Sequence, residues 1–180
     1  MTPEPPELYI YRLDDLNRIT YVSPEWVRFA RENDAPELTE EFVLGKPVED
    51  FITGVETREL YEALFHNLRR RQTEIMIPFR CDSPTVIRQM NLTLRPLANQ
   101  GIECEGTLLH AQEREPITIL FRWVQRHDEL IPICSLCRRL ELHGEWVDAH
   151  EAVVQRRLFS IAPLPRLSET ICPECKSVMA

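Results

Sequence analysis

Cys134-Ser135-Leu136-Cys137 and Cys172-Pro173-Glu174-Cys175 repeat one spacing, and that repeat decides how the last third of the chain is read. In a Cys-x-x-Cys turn both sulfurs lie on one side of a tight loop, close enough to share one tetrahedral cation. Two such couples, separated by residues 138–171, complete the four-thiolate shell that Zn2+ takes in a closed structural site. They use four of the 6 cysteines, so the pairing dominates the cysteine usage of the chain. His143 and His150 lie between the couples and are alternative ligands should one sulfur be excluded.

The compartment bears on the choice between metal and disulfide. The N-terminal Met-Thr-Pro-Glu-Pro-Pro-Glu has neither a basic n-region nor an apolar h-region, so no signal peptide is expected. No apolar run approaches the ~18 residues of a membrane helix. The expected address is the cytoplasm, where thiols stay reduced and metal binding is favoured over disulfides. A thiol–disulfide switch and a different metal such as iron are the alternatives.

With 180 residues and 43% hydrophobic content, the chain can bury a medium domain and a small one. Its formal net charge is −8. Four metal-bound thiolates with a divalent ion take it to about −10. Such a chain is a poor match to a phosphate backbone, which calls for clustered Lys and Arg. Arg69-Arg70-Arg71 ends a helical pattern, where cations suit the helix dipole.

Upstream, Leu8–Leu13 and Arg18–Val22 read as a hairpin across Asp14-Asp15-Leu16-Asn17. Ser23 is placed to cap a helix with Pro24 at its first position. Trp26, Phe29 and Ala30 form its apolar face. A turn at Val43–Pro47 leads to a short helix through Phe51, and a longer helix is expected from Glu56 to Arg71. The period then changes to two. Residues 75–80, the stretch around Met90, Leu92 and Leu94, and Ile102–Leu109 form a three-stranded meander. Hairpin, helices and meander close as one five-stranded antiparallel sheet with helices on one face, an α+β fold.

Residues about 8–110 resemble a PAS domain. The resemblance is carried by Leu13-Asp14-Asp15-Leu16-Asn17-Arg18-Ile19-Thr20-Tyr21-Val22-Ser23, by Val43-Leu44-Gly45-Lys46-Pro47-Val48-Glu49-Asp50-Phe51-Ile52, and by Pro78-Phe79-Arg80-Cys81-Asp82-Ser83-Pro84. The tail, with its cysteine couples around Gly144-Glu145-Trp146, is similar to small cysteine-paired tails that follow bacterial sensor and response-regulator modules. Those tails are read as zinc-binding.

The resemblance implies a sensor that binds a small molecule or mediates a dimer and passes the change to an output. No kinase phospho-acceptor helix, Gly-rich nucleotide site, cyclase signature or clear helix-turn-helix is present. The expected organisation is a PAS-like sensor over 8–112, a linker helix over 113–131 and a zinc module over 132–180. Ile117, Leu120, Phe121 and Val124 supply the helical spacing of the linker, which in a homodimer would pair with its twin. Residues 132–180 are expected to have too little apolar core to fold without metal.

Trp26, Phe29, Tyr61, Phe65 and Phe79 are the candidate lining of a PAS ligand pocket, and equally candidate core. His66 is a haem-ligand candidate by resemblance, but helical geometry turns it away from the apolar stripe. Cys81 and Cys104 read as free thiols or as a redox pair. A single short helix is expected across Trp146, His150, Val153 and Val154. Arg138, Arg139 and Lys176 flank the ligands and would offset the site's negative charge.

The expected function is therefore non-enzymatic signalling or regulation through ligand sensing or a protein partner. A four-cysteine shell leaves no open position for a reactive water. The alternatives are a zinc-dependent transcription regulator, which would need Arg156, Arg157 and Arg166 on one basic face, and a thiol-based redox sensor.

Overall fold

The computed structural model describes residues 7–155, 159 and 162–179. The chain divides into two compact units. One comprises residues up to Thr53 with Arg58–Pro78 and Gln89–His110; the other comprises Gly54–Thr57, Phe79–Arg88 and the chain from Ala111.

The first unit opens with β1 (Leu8–Leu13) and β2 (Ile19–Val22), paired antiparallel. Asp14 makes the turn, its Oδ1 accepting from the amides of Leu16 (2.9 Å) and Arg18 (2.8 Å), while Asn17 takes φ 58°. Helix α1 (Pro24–Glu32) starts as its sequence dictates: Ser23 Oγ accepts from the Trp26 amide at 3.1 Å, and Pro24 occupies the first turn. A short α2 (Glu40–Val43) and a 3-10 turn (Val48–Phe51) lead to α3 (Val55–Arg71). Leu64, Phe65 and Leu68 of α3 are buried.

Strands β3 (Ile75–Arg80), β4 (Val86–Pro96) and β5 (Ile102–Glu113) complete a five-stranded antiparallel sheet in the order β2-β1-β5-β4-β3. Its two faces follow from register. Tyr9, Tyr11 and Leu13 stand opposite Gly106, Cys104 and Ile102, and Tyr9 stacks 4.6 Å from Phe29 of α1. On the other face Arg12 pairs with Glu103 at 2.8 Å, and Arg95 with Glu105 and Glu74 at 2.8 and 2.7 Å. One face is core and one is solvated, the usual division of an antiparallel sheet. Arg69 does more than meet the helix dipole. Its guanidinium donates to the Gln100 and Asp14 carbonyls and to Asn17 Oδ1, at 2.8, 2.9 and 2.8 Å, tying two turns to α3.

The second unit is built on a four-stranded sheet, β8-β7-β6-β9, from β6 (Arg126–Cys134), β7 (Arg139–Leu142), β8 (Glu145–Asp148) and β9 (Leu164–Thr170). Strands β6 and β9 run parallel, with Ile133 beside Glu169 and Cys134 beside Thr170. His143 (φ 54°) and Gly144 (φ 87°) form the two-residue turn between β7 and β8, with the paired positive φ values that such hairpins favour.

Two expectations about chain organisation are corrected here. No helix spans 113–131: β5 continues to Glu113, a 3-10 turn covers Thr118–Leu120, and β6 begins at Arg126. The helical spacing of Ile117, Leu120, Phe121 and Val124 covers only eight residues, too short to hold a helix against tertiary alternatives. Ile117, Ile119 and Val124 instead join Ile131, Ile133, Leu140, Leu142, Val147 and Leu164 in a core of the second unit. Arg126 satisfies the loop, donating to the carbonyls of Ile119, Phe121 and Pro165 at 2.7, 3.0 and 2.6 Å. The tail therefore has an apolar core of its own, contrary to the expected dependence of its whole fold on metal. The short helix expected across Trp146, His150, Val153 and Val154 is present in part: helical turns cover residues 149–155, while Trp146 lies in β8.

The tip of the β3–β4 hairpin belongs to this second unit. The Arg80 amide donates to the Leu136 carbonyl (2.7 Å), and the Arg114 and Ile117 amides donate to the Thr85 and Pro84 carbonyls (each 2.9 Å). The Asp82 side chain is fully buried at this tip. It is bridged by Arg80, which also reaches Asp148, and by Arg114 at 3.2 Å.

Candidate metal centre

The parallel alignment of β6 and β9 creates the site. Cys134 is the last residue of β6 and lies beside Thr170, the last residue of β9, so both strands leave the sheet at the same end. Each is followed at once by a cysteine turn. Ser135–Cys137 closes with the Arg138 amide donating to the Cys134 carbonyl (2.9 Å), Arg138 itself at φ 60°. After Ile171, Cys172 precedes the short helix α4 (Pro173–Met179), whose first turn carries Cys175.

The four sulfurs lie within 4.8 Å of one another. Cys137 Sγ and Cys172 Sγ are 3.8 Å apart, far beyond a disulfide bond, and all four thiols are free. A Zn–S distance of about 2.3 Å in tetrahedral geometry gives an S···S edge of about 3.8 Å. The donor set and its spacing thus fit a tetrahedral, thiophilic ion. Backbone amides already point at the sulfurs: Cys172 N–H donates to Cys134 Sγ and Cys175 N–H to Cys172 Sγ, each at 3.4 Å. Such bonds stabilise thiolate charge and fix ligand orientation. Cys134 and Cys172 are buried, while Cys137 and Cys175 are half-buried.

Cys134, Cys137 and Cys175 titrate together. A hydrogen bond from Cys137 holds Cys134 down at about 4, assisted by the Cys172, Cys137 and Leu136 amides. The Cys137 thiol, as the donor in that bond, is pushed up, and burial pushes Cys175 up to about 12. The protons shared among these sulfurs are the ones a cation displaces.

The flanking arginines have carboxylate partners as well, and Arg139 also lies close enough to feel the charge of Cys137 and Cys172. Arg138 pairs with Glu169 at 2.9 Å and Arg139 with Glu174, so both arginines are already matched by carboxylates. Neither His143 nor His150 belongs to the four-sulfur group. Sequence reasoning also missed a polar chain around the first turn. Ser135 Oγ donates to Glu169 Oε2 (2.6 Å) and meets Thr57 Oγ1 at 2.8 Å. Ser135 lies inside the Cys-x-x-Cys spacing, which is the one signal that could have singled it out.

The aromatic candidates fall in both units. Phe65 is fully buried, Phe29 stacks on Tyr9, and Tyr61 lies 5.8 Å from Phe65; Trp26 is half-buried on α1. Phe79 belongs to the segments of the second unit. A groove of about 520 Å³ in the first unit is lined by Tyr21, Val22, Pro24, Val27, Arg28, Arg31 and Glu40. His66 is exposed, as its helical angle dictates. Cys81 and Cys104 are free thiols, Cys104 buried opposite Tyr11 and pushed up to about 12 by that burial. Arg156 and Arg157 lie outside the described residues, and Arg166 is exposed, 3.6 Å from Asp128. Among the described residues no helix is long and apolar enough to cross a membrane.

No protein-family model matches this sequence, and no curated protein does. Solved structures do. The PAS domain of the RpfR quorum-sensing receptor of Cronobacter turicensis, in complex with C12:0, is 17% identical, with 61% of this chain and 100% of that one covered and a TM-score of 0.39. The same domain in complex with BDSF gives 17% identity, the same coverage and a TM-score of 0.40. The first unit has a five-stranded antiparallel sheet with helices inserted between β2 and β3.

Proposed function

We propose that this chain is a non-enzymatic regulatory protein in which a PAS-like sensor unit is joined to a structural zinc module. The observation that carries the reading is the convergence of Cys134, Cys137, Cys172 and Cys175. Four thiolates fill the tetrahedral shell, so the ion acts as a scaffold and offers no open position for a water or substrate. Zn2+ held there joins the ends of β6 and β9 and supplies folding free energy to the two turns. The PAS-like unit supplies the input, through a small ligand or a protein partner, and the protein acts as a cytoplasmic homodimer.

Native mass spectrometry of the purified chain tests this. One zinc per chain is expected, lost in Cys172→Ser, with the first unit still folded by amide exchange over residues 8–53. Absence of bound metal, or disulfides in the freshly purified protein, overturns the zinc reading. The closeness of Cys137 and Cys172 favours one second reading, in which peroxide oxidises the couples and expels the ion. Retention of zinc and of four thiols after peroxide dismisses it.

A further inference from the structure

The residues between and beside the metal ligands do a second task. Ser135 sits inside the first cysteine turn and Arg138 directly after it; Glu169 is the penultimate residue of the strand that delivers the second. Glu169 accepts from Ser135 Oγ at 2.6 Å and from Arg138 at 2.9 Å, so its carboxylate bridges both sides of the first turn. The Ser135 amide donates to the Thr170 carbonyl at 2.8 Å. The Ser135 hydroxyl proton is committed to the carboxylate, which leaves Thr57 to donate its own to Ser135 Oγ across 2.8 Å. Thr57 is buried, although it lies in the first turn of α3.

Gly54 marks the second hold. It has φ +84°, and a Cβ there would overlap the Glu169 carbonyl oxygen. Only glycine lets the backbone lie this close and in this conformation. The start of α3 is thus gripped at Thr57 by the first cysteine turn and at Gly54 by the strand leading to the second.

We infer that the four-cysteine site is a metal-dependent clamp on Gly54–Thr57, through the chain Thr57–Ser135–Glu169–Arg138, and that metal occupancy sets the order of the first turn of α3. This rests on the zinc reading and extends it, because the ion becomes a regulatory input. Ser135 and Glu169 are positioning residues. They hold Thr57 only while both turns keep their metal-bound shape, and α3 carries the change onward as one continuous helix to Phe65 and Leu68.

Hydrogen exchange read by mass spectrometry tests the clamp on the full chain, zinc-loaded and after chelation, in wild type and Thr57→Val. Chelation should speed exchange in the cysteine-turn peptides and, about tenfold, in residues 54–60, while peptides containing Ile133 and Leu140 stay protected. Thr57→Val should retain its zinc, show the fast 54–60 exchange already when loaded, and gain little more on chelation. Faster exchange at the cysteine turns with 54–60 unchanged overturns the clamp alone. No change at the cysteine turns themselves overturns the zinc reading and the clamp together.

Discussion

Replacing Asp82 by alanine tests a deeply buried charge network in the second unit. The Asp82 side chain is 0% exposed and that of Arg114 3%, while Arg80 is 20% exposed. Asp82 accepts from both arginines and from the Arg88 amide at 3.3 Å. Removing one partner of a buried pair costs about 3–5 kcal/mol, because the other charge is left without a counter-ion. Two supports survive here. Arg114 keeps its 2.6 Å bond to the Ser83 carbonyl, and Arg80 keeps Asp148. The lower end, about 3 kcal/mol, is therefore expected for Asp82→Ala. For a chain of this size each kcal/mol lowers Tm by about 2–4 °C, so a drop of about 6–12 °C should be seen by calorimetry of the zinc-loaded protein. Asp82→Asn keeps the shape and one acceptor and should lose less. A cost within about 0.5 kcal/mol, typical of a surface substitution, would refute the claim that this network stabilises the hairpin tip.

Other outcomes follow from the same structure. Ile133→Ala opens a cavity in the core of the second unit and should cost about 3 kcal/mol in denaturant unfolding, even with zinc saturating. Cys104, buried and with its pKa at about 12, should resist iodoacetamide in the native protein and react only on unfolding; rapid native labelling would contradict its burial. Burial, the largest single influence, would raise the Asp148 carboxyl, but the Arg80 hydrogen bond and charge, the His150 amide and the Arg114 charge together outweigh it and hold Asp148 below its ordinary value. Its stabilising contribution is therefore present above the ordinary value, about 3.9, and is lost as pH falls through the depressed one; Asp148→Asn should flatten that part of the acid unfolding curve.

How much of this was open to sequence reasoning can be judged residue by residue. Asp14, Ser23-Pro24 and the long period of α3 act locally, through bonds to amides within a few positions, and each element they imply is present. The alternating stretches gave the meander for the same reason. The segment 117–124 failed because its spacing fits a helix as well as a loop that feeds an apolar core, and the choice is made by Ile133 and Leu140, which no local pattern connects to it. The β7–β8 hairpin was missed although His143-Gly144 is a recognisable turn.

For the metal centre the division is sharper. The four candidate cysteines were legible in the sequence alone, because a Cys-x-x-Cys turn is a local object whose sulfurs converge over four residues. That the two turns meet was decided by tertiary structure. Parallel pairing of β6 with β9 sends Cys134 and Cys172 out of the same end of one sheet, whereas antiparallel pairing would have sent them to opposite ends. The grip on Thr57 and Gly54 is of the same kind: it joins positions more than 75 residues apart through hydrogen bonds and backbone packing that exist only once the chain has folded.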